Sequence, residues 1–214
     1  MEITYFGHAA FKIKGKNSTV VVDPYGEKVG RFPKDVEANM VLITHPHFDH
    51  NAVEKVGGKP FVVSGPGEYE VGGVSVIGIP TWHDNQAGKE RGENTVYVVE
   101  MDGLRLAHVG DLGHKLAEGQ LEEMGSVDIA FVPVGGTYTI DAKEAVEVIK
   151  QLDPWIVVPM HYRMAGMGED IPGLAPVEDF LREMGKADVV PMPKLTISAD
   201  RLPEEMQVVV LEKK

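Results

Sequence analysis

Cysteine is absent from all 214 residues, so disulfides and thiolates are unavailable and any metal must be held by nitrogen and oxygen. Runs of lysine or arginine are missing too. With 33 acidic and 21 basic residues the net charge is −12, a balance that repels polyphosphate backbones and anionic lipid surfaces, so no nucleic-acid partner is expected. There is no uninterrupted apolar stretch long enough to cross a bilayer. The opening MEITYFGHAAFKIKG alternates like a strand and lacks the charged start and apolar stretch of an export signal, which points to the cytoplasm and away from membranes. A low-complexity linker is lacking as well. The 24 glycines and 14 prolines are scattered as turn punctuation, so one domain over 1–214 is expected, with ordinary hydrophobic and charged contents of 43% and 25% and enough length for a real core.

What is present reads first as strands. Ile3 to Phe6, Ala10 to Ile13, Thr19 to Val22, Met40 to Thr44, Pro60 to Ser64, Glu70 to Val71 and Val74 to Ile79 are extended segments separated by turns. Thr95 to Met101 and Leu104 to His108 flank Asp102-Gly103, a strong hairpin signal. Helix and strand then alternate. Helices are predicted over Lys115 to Met124, Ala142 to Gln151 and Val177 to Met184, with strands at Asp128 to Val132, Trp155 to Pro159, Thr196 to Ser198 and Gln207 to Leu211. Asp141 with Glu144 three residues on makes a capping-box start, after which Ala142, Ala145, Val146 and Ile149 share a face. Helices that must cover strand-rich halves imply a layered α/β fold.

The densest chemical signal is THPHFDHN at 44–51, where three of the eight histidines and an aspartate fall between His45 and His50. On a helix, His45 and His47 would point about 200° apart, whereas at the end of a strand they point to one side. Met40 to Thr44 is that strand, and Pro46 disfavours helix at His45. Asp49 and His50 are neighbours whose side chains diverge, which suits two ions side by side better than one. A solvated loop of titrating histidines is the plain alternative, and a closed structural zinc site another, although such sites often use the cysteine that is missing here.

THPHFDH resembles the H-x-H-x-D-H signature of the metallo-β-lactamase superfamily, and further landmarks follow in that family's order: VVVDP with Asp23, PTWHD with His83, HVGD with Asp111 and PMHY with His161. FGHAAF and PVGGTYTIDAKEA look like the small stand-alone branch that includes ascorbate-6-phosphate lactonase. The resemblance implies a four-layer αββα sandwich with metals at one edge between two sheets. It implies that His45, His47 and His83 hold one divalent ion and that Asp49, His50 and His161 hold a second, with Asp111 bridging. Asp49, Asp111 and His161 would carry the catalysis, and Asp23 would orient ligands without touching metal. Zn(II) suits such donors best, while Mn(II) and Fe(II) fit the same set.

Several residues have competing readings. His8, His114, Tyr138 and Arg163, with Thr137, are candidates for substrate contacts, and Arg163 would place a fixed positive charge near the opening. His108, inside a strand, reads as structural; Trp82 is either core or an apolar wall. The polar stretch HDNQAGKERGEN reads as a mobile wall or lid. The expected function is hydrolysis, with a metal-bridging hydroxide attacking an ester, lactone or related bond of a small acidic or phosphorylated metabolite. Phosphodiester hydrolysis and metal retention without turnover are the alternatives. Diiron redox relatives typically carry Glu where this chain has His47, and a flavin domain with no counterpart here. Self-association cannot be read from sequence, so a homo-oligomer stays open.

Overall fold

Alternation of apolar side chains along the early strands sends them to two different cores. The computed structural model describes residues 1–168 and 171–214. In chain order the strands begin with β1 (Glu2–Gly7), β2 (Ala10–Lys14), β3 (Thr19–Val22), β4 (Met40–Ile43), β5 (Phe61–Ser64), β6 (Gly67–Val71) and β7 (Val74–Trp82). There follow β8 (Glu93–Met101), β9 (Leu104–His108), α1 (Glu118–Met124), β10 (Ile129–Pro133), α2 (Ala142–Leu152) and β11 (Ile156–Met160). The last elements are α3 (Val177–Glu183), β12 (Leu195–Thr196) and β13 (Gln207–Val208). Ile3, Tyr5, Phe11, Ile13, Val20, Val22, Met40 and Leu42 face the second sheet, while Phe6, Ala10, Val21, Val41 and Ile43 face the opposite way. Strands buried on both faces in this manner read as continuous apolar runs, as MVLI does.

Two mixed sheets result. The first runs β12-β1-β2-β3-β4-β5, antiparallel as far as β3 and parallel from β3 through β5. The second runs β13-β11-β10-β9-β8-β7-β6, parallel from β13 to β9 and antiparallel from β9 to β6. Asp102 and Gly103 both take positive φ, as a two-residue hairpin turn requires, and Met101 pairs with Leu104 across it.

The α/β sandwich has unlike outer layers. On the second sheet α1 packs against β7, α2 against β10 and α3 against α2. The side chain of Asp141 accepts from the backbone N–H groups of Lys143 and Glu144, and Glu144 accepts in return from the Asp141 N–H, which fixes the start of α2. Its buried stripe is Ala145, Val148, Ile149 and Leu152, with Ala142 and Val146 at the margin, a rotation of the face read from sequence. On the first sheet the covering layer is irregular chain: Tyr25, Val29, Phe32, Val36, Ile171 and Leu174 do the packing, with one turn of 3₁₀ helix at Val53–Lys55. No helix among the described residues is long and apolar enough to cross a membrane.

Candidate metal centre

Six of the eight histidines, His8, His45, His50, His83, His108 and His161, are buried, which reverses the usual distribution of a polar ring. Five of them meet at the ends of strands. His45 follows β4 after Thr44, His83 follows β7 directly and His161 follows β11 directly; Asp23 follows β3, and Asp111 lies beyond β9. His8 occupies the turn between β1 and β2. His8, Asp23 and His161 all take left-handed backbone conformations, with φ of 58°, 46° and 53°. Each costs on the order of 1 kcal/mol, and such positions persist where the surroundings fix them. Here the carbonyl of His8 accepts from the His161 N–H at 2.7 Å and from the Tyr5 hydroxyl at 2.8 Å, so two of these turns lock one another.

Two sets of donor atoms share the site. His8, Asp49, His50 and His161 each offer an atom within 4.8 Å of the others, as do His45, His47 and His83. Asp111 lies between them. Its Oδ2 is 3.1 Å from His161 Nε2, 3.2 Å from His83 Nε2, 3.4 Å from His50 Nε2 and 4.0 Å from His45 Nε2. Asp111 Oδ1 and His45 Nε2 are buried without any hydrogen-bond partner, an arrangement that costs stability unless a cation takes the lone pairs. The nitrogen and oxygen donors fit borderline divalent ions.

Behind the donors a carboxylate sets ring orientation. Asp23 Oδ2 accepts from His50 Nδ1 at 2.8 Å and from the Thr44 hydroxyl at 2.7 Å, while Oδ1 accepts from the Thr44 N–H at 2.8 Å. Because the Thr44 hydroxyl gives its proton to Asp23, its oxygen accepts from His45 Nδ1 at 3.0 Å. One buried anion thereby turns the Nε2 lone pairs of both His45 and His50 toward the centre. Asn94 Oδ1 accepts the Asp111 N–H at 3.0 Å, and its amide group donates to Thr81 Oγ1 and to the Val109 carbonyl. His108 donates from Nε2 to the Ala9 carbonyl at 2.9 Å and accepts the Gly110 N–H at 3.2 Å, stapling the His8 turn to the Asp111 turn.

Gly110, at φ 59°, has Asn94 Oδ1 and the Thr44 side chain where a Cβ would stand. Gly110→Ala is therefore expected to destabilise the protein by roughly 2–4 kcal/mol, from backbone strain and overpacking together. Equilibrium denaturation checks this; a loss under about 0.5 kcal/mol would mean that the turn relaxes freely.

The electrostatics favour positive charge. Burial works to raise the Asp111 carboxyl, but His161 and His50 outweigh it and hold the group well below the usual carboxylate range. Burial works to lower His50, yet Asp111 and Asp23 push it well up. His8 goes the other way, down to about 4, through burial and then the proximity of His161. Burial, with His50 next, also lowers His45. A pocket that retains a proton on His50 between two carboxylates is one that accepts a cation in its place.

A cavity of about 280 Å³ opens onto the donors, reached by His47, Asp49, His83, Asp111 and His161 and walled by Phe48, Tyr138 and Ile171. Tyr138 lies in that wall, its hydroxyl donating to the Pro172 carbonyl at 3.0 Å. His8 does not line the wall. It is fully buried, with Nε2 3.0 Å from Asp49 Oδ2 and 3.2 Å from His50 Nε2. His114 spends both ring nitrogens on backbone, accepting the Trp82 N–H and donating to the Lys115 carbonyl. Arg163 is exposed and outside the lining; the cation in the wall is Arg91. Nor is 83–94 a loose lid: the buried Asp84 carboxylate accepts four backbone N–H groups, from Gln86 and Gly88 on Oδ1 and from Glu90 and Arg91 on Oδ2, at 2.8–2.9 Å. Asn94, Asp84 and Arg91 escaped sequence reading, although an Asp that starts a polar, glycine-containing turn is a recognisable signal for such a knot.

Comparison with known proteins agrees with this architecture. A family model described as a β-lactamase superfamily domain matches residues 2–161. A UPF0173 metal-dependent hydrolase of Thermococcus onnurineus is 34% identical over 219 residues, covering 89% of this chain and 95% of its own. The crystal structure of a proposed Zn-dependent hydrolase of the metallo-β-lactamase superfamily from Thermotoga maritima is 38% identical, with a TM-score of 0.80 and coverage of 98% of this chain and 97% of that one. A metallo hydrolase from the archaeon Ignicoccus hospitalis, 23% identical with a TM-score of 0.68 over 92% of this chain and 99% of its own, shares the fold. The chain belongs to the metallo-β-lactamase superfamily and, within it, to the UPF0173 metal-dependent hydrolases.

Proposed function

We propose that this metal-dependent hydrolase is a two-metal enzyme that cleaves an ester, lactone or related bond of a small, acidic metabolite. The observation that carries the reading is the pair of donor sets on either side of Asp111, whose Oδ2 is within 3.1–4.0 Å of imidazoles from both. His45, His47 and His83 would hold one ion and Asp49, His50 and His161 the other, with Asp111 common to both and Zn(II) preferred over Mn(II) or Fe(II). Two bound cations supply an acidified water as nucleophile and a Lewis acid for the oxygen that gains charge.

The chain itself does the rest. Asp23, through His50 directly and through Thr44 to His45, keeps two imidazoles in the tautomer that presents Nε2. His8 Nε2 lies against Asp49 Oδ2 and orients that carboxylate from the side remote from solvent, a positioning role instead of a substrate contact. Phe48, Tyr138 and Ile171 shed water from the approach, which strengthens the charge interactions within.

Metal analysis together with a probe panel tests the reading. Freshly purified protein is expected to carry about two equivalents of divalent metal and to hydrolyse aryl esters or lactones; chelation abolishes turnover and added Zn(II) or Mn(II) restores it. Retention of metal with no turnover of ester, lactone or bis-aryl phosphate would make it a metal-retaining binding protein. Turnover confined to the phosphate probe would make it a phosphodiesterase.

A further inference from the structure

Beside the metal centre the cavity wall carries a feature that metal binding does not require. Arg91 is half-buried in the lining, together with Asp111 and His161, and is the one Lys or Arg among the described lining residues. Its guanidinium Nη2 donates to the Thr137 carbonyl at 3.2 Å, and Nη1 makes a weak 3.4 Å contact with Glu90 at the surface. A guanidinium has five N–H donors, so most of this fork is left for a ligand.

Two independent features fix the fork in place. The first is the Asp84 knot. Asp84 directly follows His83, and its four backbone hydrogen bonds close the 84–91 segment into a rigid turn whose last bonded N–H is that of Arg91 itself. The turn packs on Trp82: a Cβ at Gly88 would run into its ring. The second feature is the neighbouring turn, where Thr137 takes φ 61°, rare for a β-branched residue, and its carbonyl accepts from the guanidinium. Thr137 Oγ1 donates to the Gly173 carbonyl at 2.7 Å, which holds that conformation.

We propose that Arg91 is the specificity-determining residue of the site: it binds a carboxylate or phosphate group of the substrate, and Asp84 is the positioning residue that holds it there. The inference rests on the hydrolase reading above for where the scissile bond lies. A net charge of −12 repels small anions at long range, so an anionic substrate needs a local cation to hold it, and a planar fork recognises carboxylate and phosphate alike. Phe48 and Ile171 on the same cavity suit an apolar stretch between the anion and the reacting bond.

The test pairs mono(4-nitrophenyl) glutarate with neutral 4-nitrophenyl butyrate on metal-loaded protein and adds calorimetric titration with glutarate and with glycerol 3-phosphate. Wild type is expected to prefer the anionic ester, and Arg91→Gln to lower the ratio of the two kcat/KM values by about 10- to 100-fold, the range of a hydrogen-bonded charge pair, mostly through KM. Arg91→Lys should recover part of the ratio. Asp84→Asn, which offers an N–H₂ where two N–H donors need an acceptor, should lower it too, and the Asp84→Asn/Arg91→Gln double variant should fall no further than Arg91→Gln alone. The titration separates the sources, since the anion whose affinity drops in Arg91→Gln is the one that is read. A wild type without anion preference, or an Arg91→Gln variant that loses both esters equally and binds both anions as before, overturns the proposal. Absence of all ester turnover combined with Arg91-dependent anion binding would instead sink the hydrolase reading and leave this one standing.

Discussion

Asp111→Asn is expected to lower kcat/KM by about 10³-fold or more, roughly 4 kcal/mol of transition-state stabilisation, and to strip at least one metal equivalent from the purified protein. The size follows from its position. Asp111 is buried, its Oδ2 lies within 3.1–4.0 Å of four imidazoles from both donor sets, and its Oδ1 has no other partner. Asparagine keeps the shape but removes the negative charge that would let two cations sit close together, and its N–H₂ would face ligand nitrogens in place of one oxygen. A structural aspartate would show the reverse pattern, lost folding with little change in metal per folded chain. Plasma emission analysis beside steady-state kinetics separates the two; a variant that folds, keeps two equivalents and turns over within about tenfold of wild type would refute the bridging role.

The second large effect is on the metal-free protein, which is expected to lose stability steeply as pH falls from about 6.5 toward 4. Burial lowers His8, His45, His47 and His108, helped by His161 at His8, by His50 at His45 and by His83 at His47. A base whose folded pKa is depressed binds its proton more readily when unfolded, so the unfolded state holds more protons below about 6.5 and stability rises with pH across that window. His8 alone, brought down to about 4, is worth roughly 3 kcal/mol over the interval, and the others add in the same direction. His50 has the opposite sign. Its raised value, due to Asp111 and Asp23 against the effect of burial, gives a contribution that is present below about 6.5 and lost as pH rises through the folded value. Chelated protein should therefore be most stable near neutrality or slightly above. Denaturant titrations from about pH 8 down to 4.5 measure this, and an equal midpoint at pH 7 and 5 would contradict burial of neutral imidazoles.

Much of the fold is legible because period-two alternation survives in short strands. Ile3 and Tyr5 against Phe6, or Val20 and Val22 against Val21, announce both faces of the first sheet, and the extended runs at 19–22 and 104–108 match β3 and β9 end for end. Other boundaries move for a tertiary reason. The strand read over Val74 to Ile79 continues to Trp82, since Thr81 and Trp82 find partners in Asn94 and Glu93. The outer layer of the first sheet is opaque, because Tyr25, Phe32 and Leu174 have no common period.

The site divides in the same way. His45, His47, Asp49 and His50 lie together in sequence and their chemistry can be read from their neighbours, whereas His83, Asp111 and His161 each look ordinary alone and become interpretable through a family pattern. His8 and Arg91 go further. The contact of His8 with Asp49 depends on how the turn after β1 meets the loop after β4 at one end of the first sheet, and Arg91 stands in the cavity wall at the end of the turn that Asp84 closes.

By itself the sequence determined the donor chemistry, since a chain without cysteine offers only nitrogen and oxygen, and it determined which strand faces are apolar, since that is a local pattern. Tertiary structure alone decided which imidazoles lie within 4.8 Å of one another and which arginine faces the cavity. Those are outcomes of sheet packing and loop closure between residues tens of positions apart, and neighbouring residues carry no record of them.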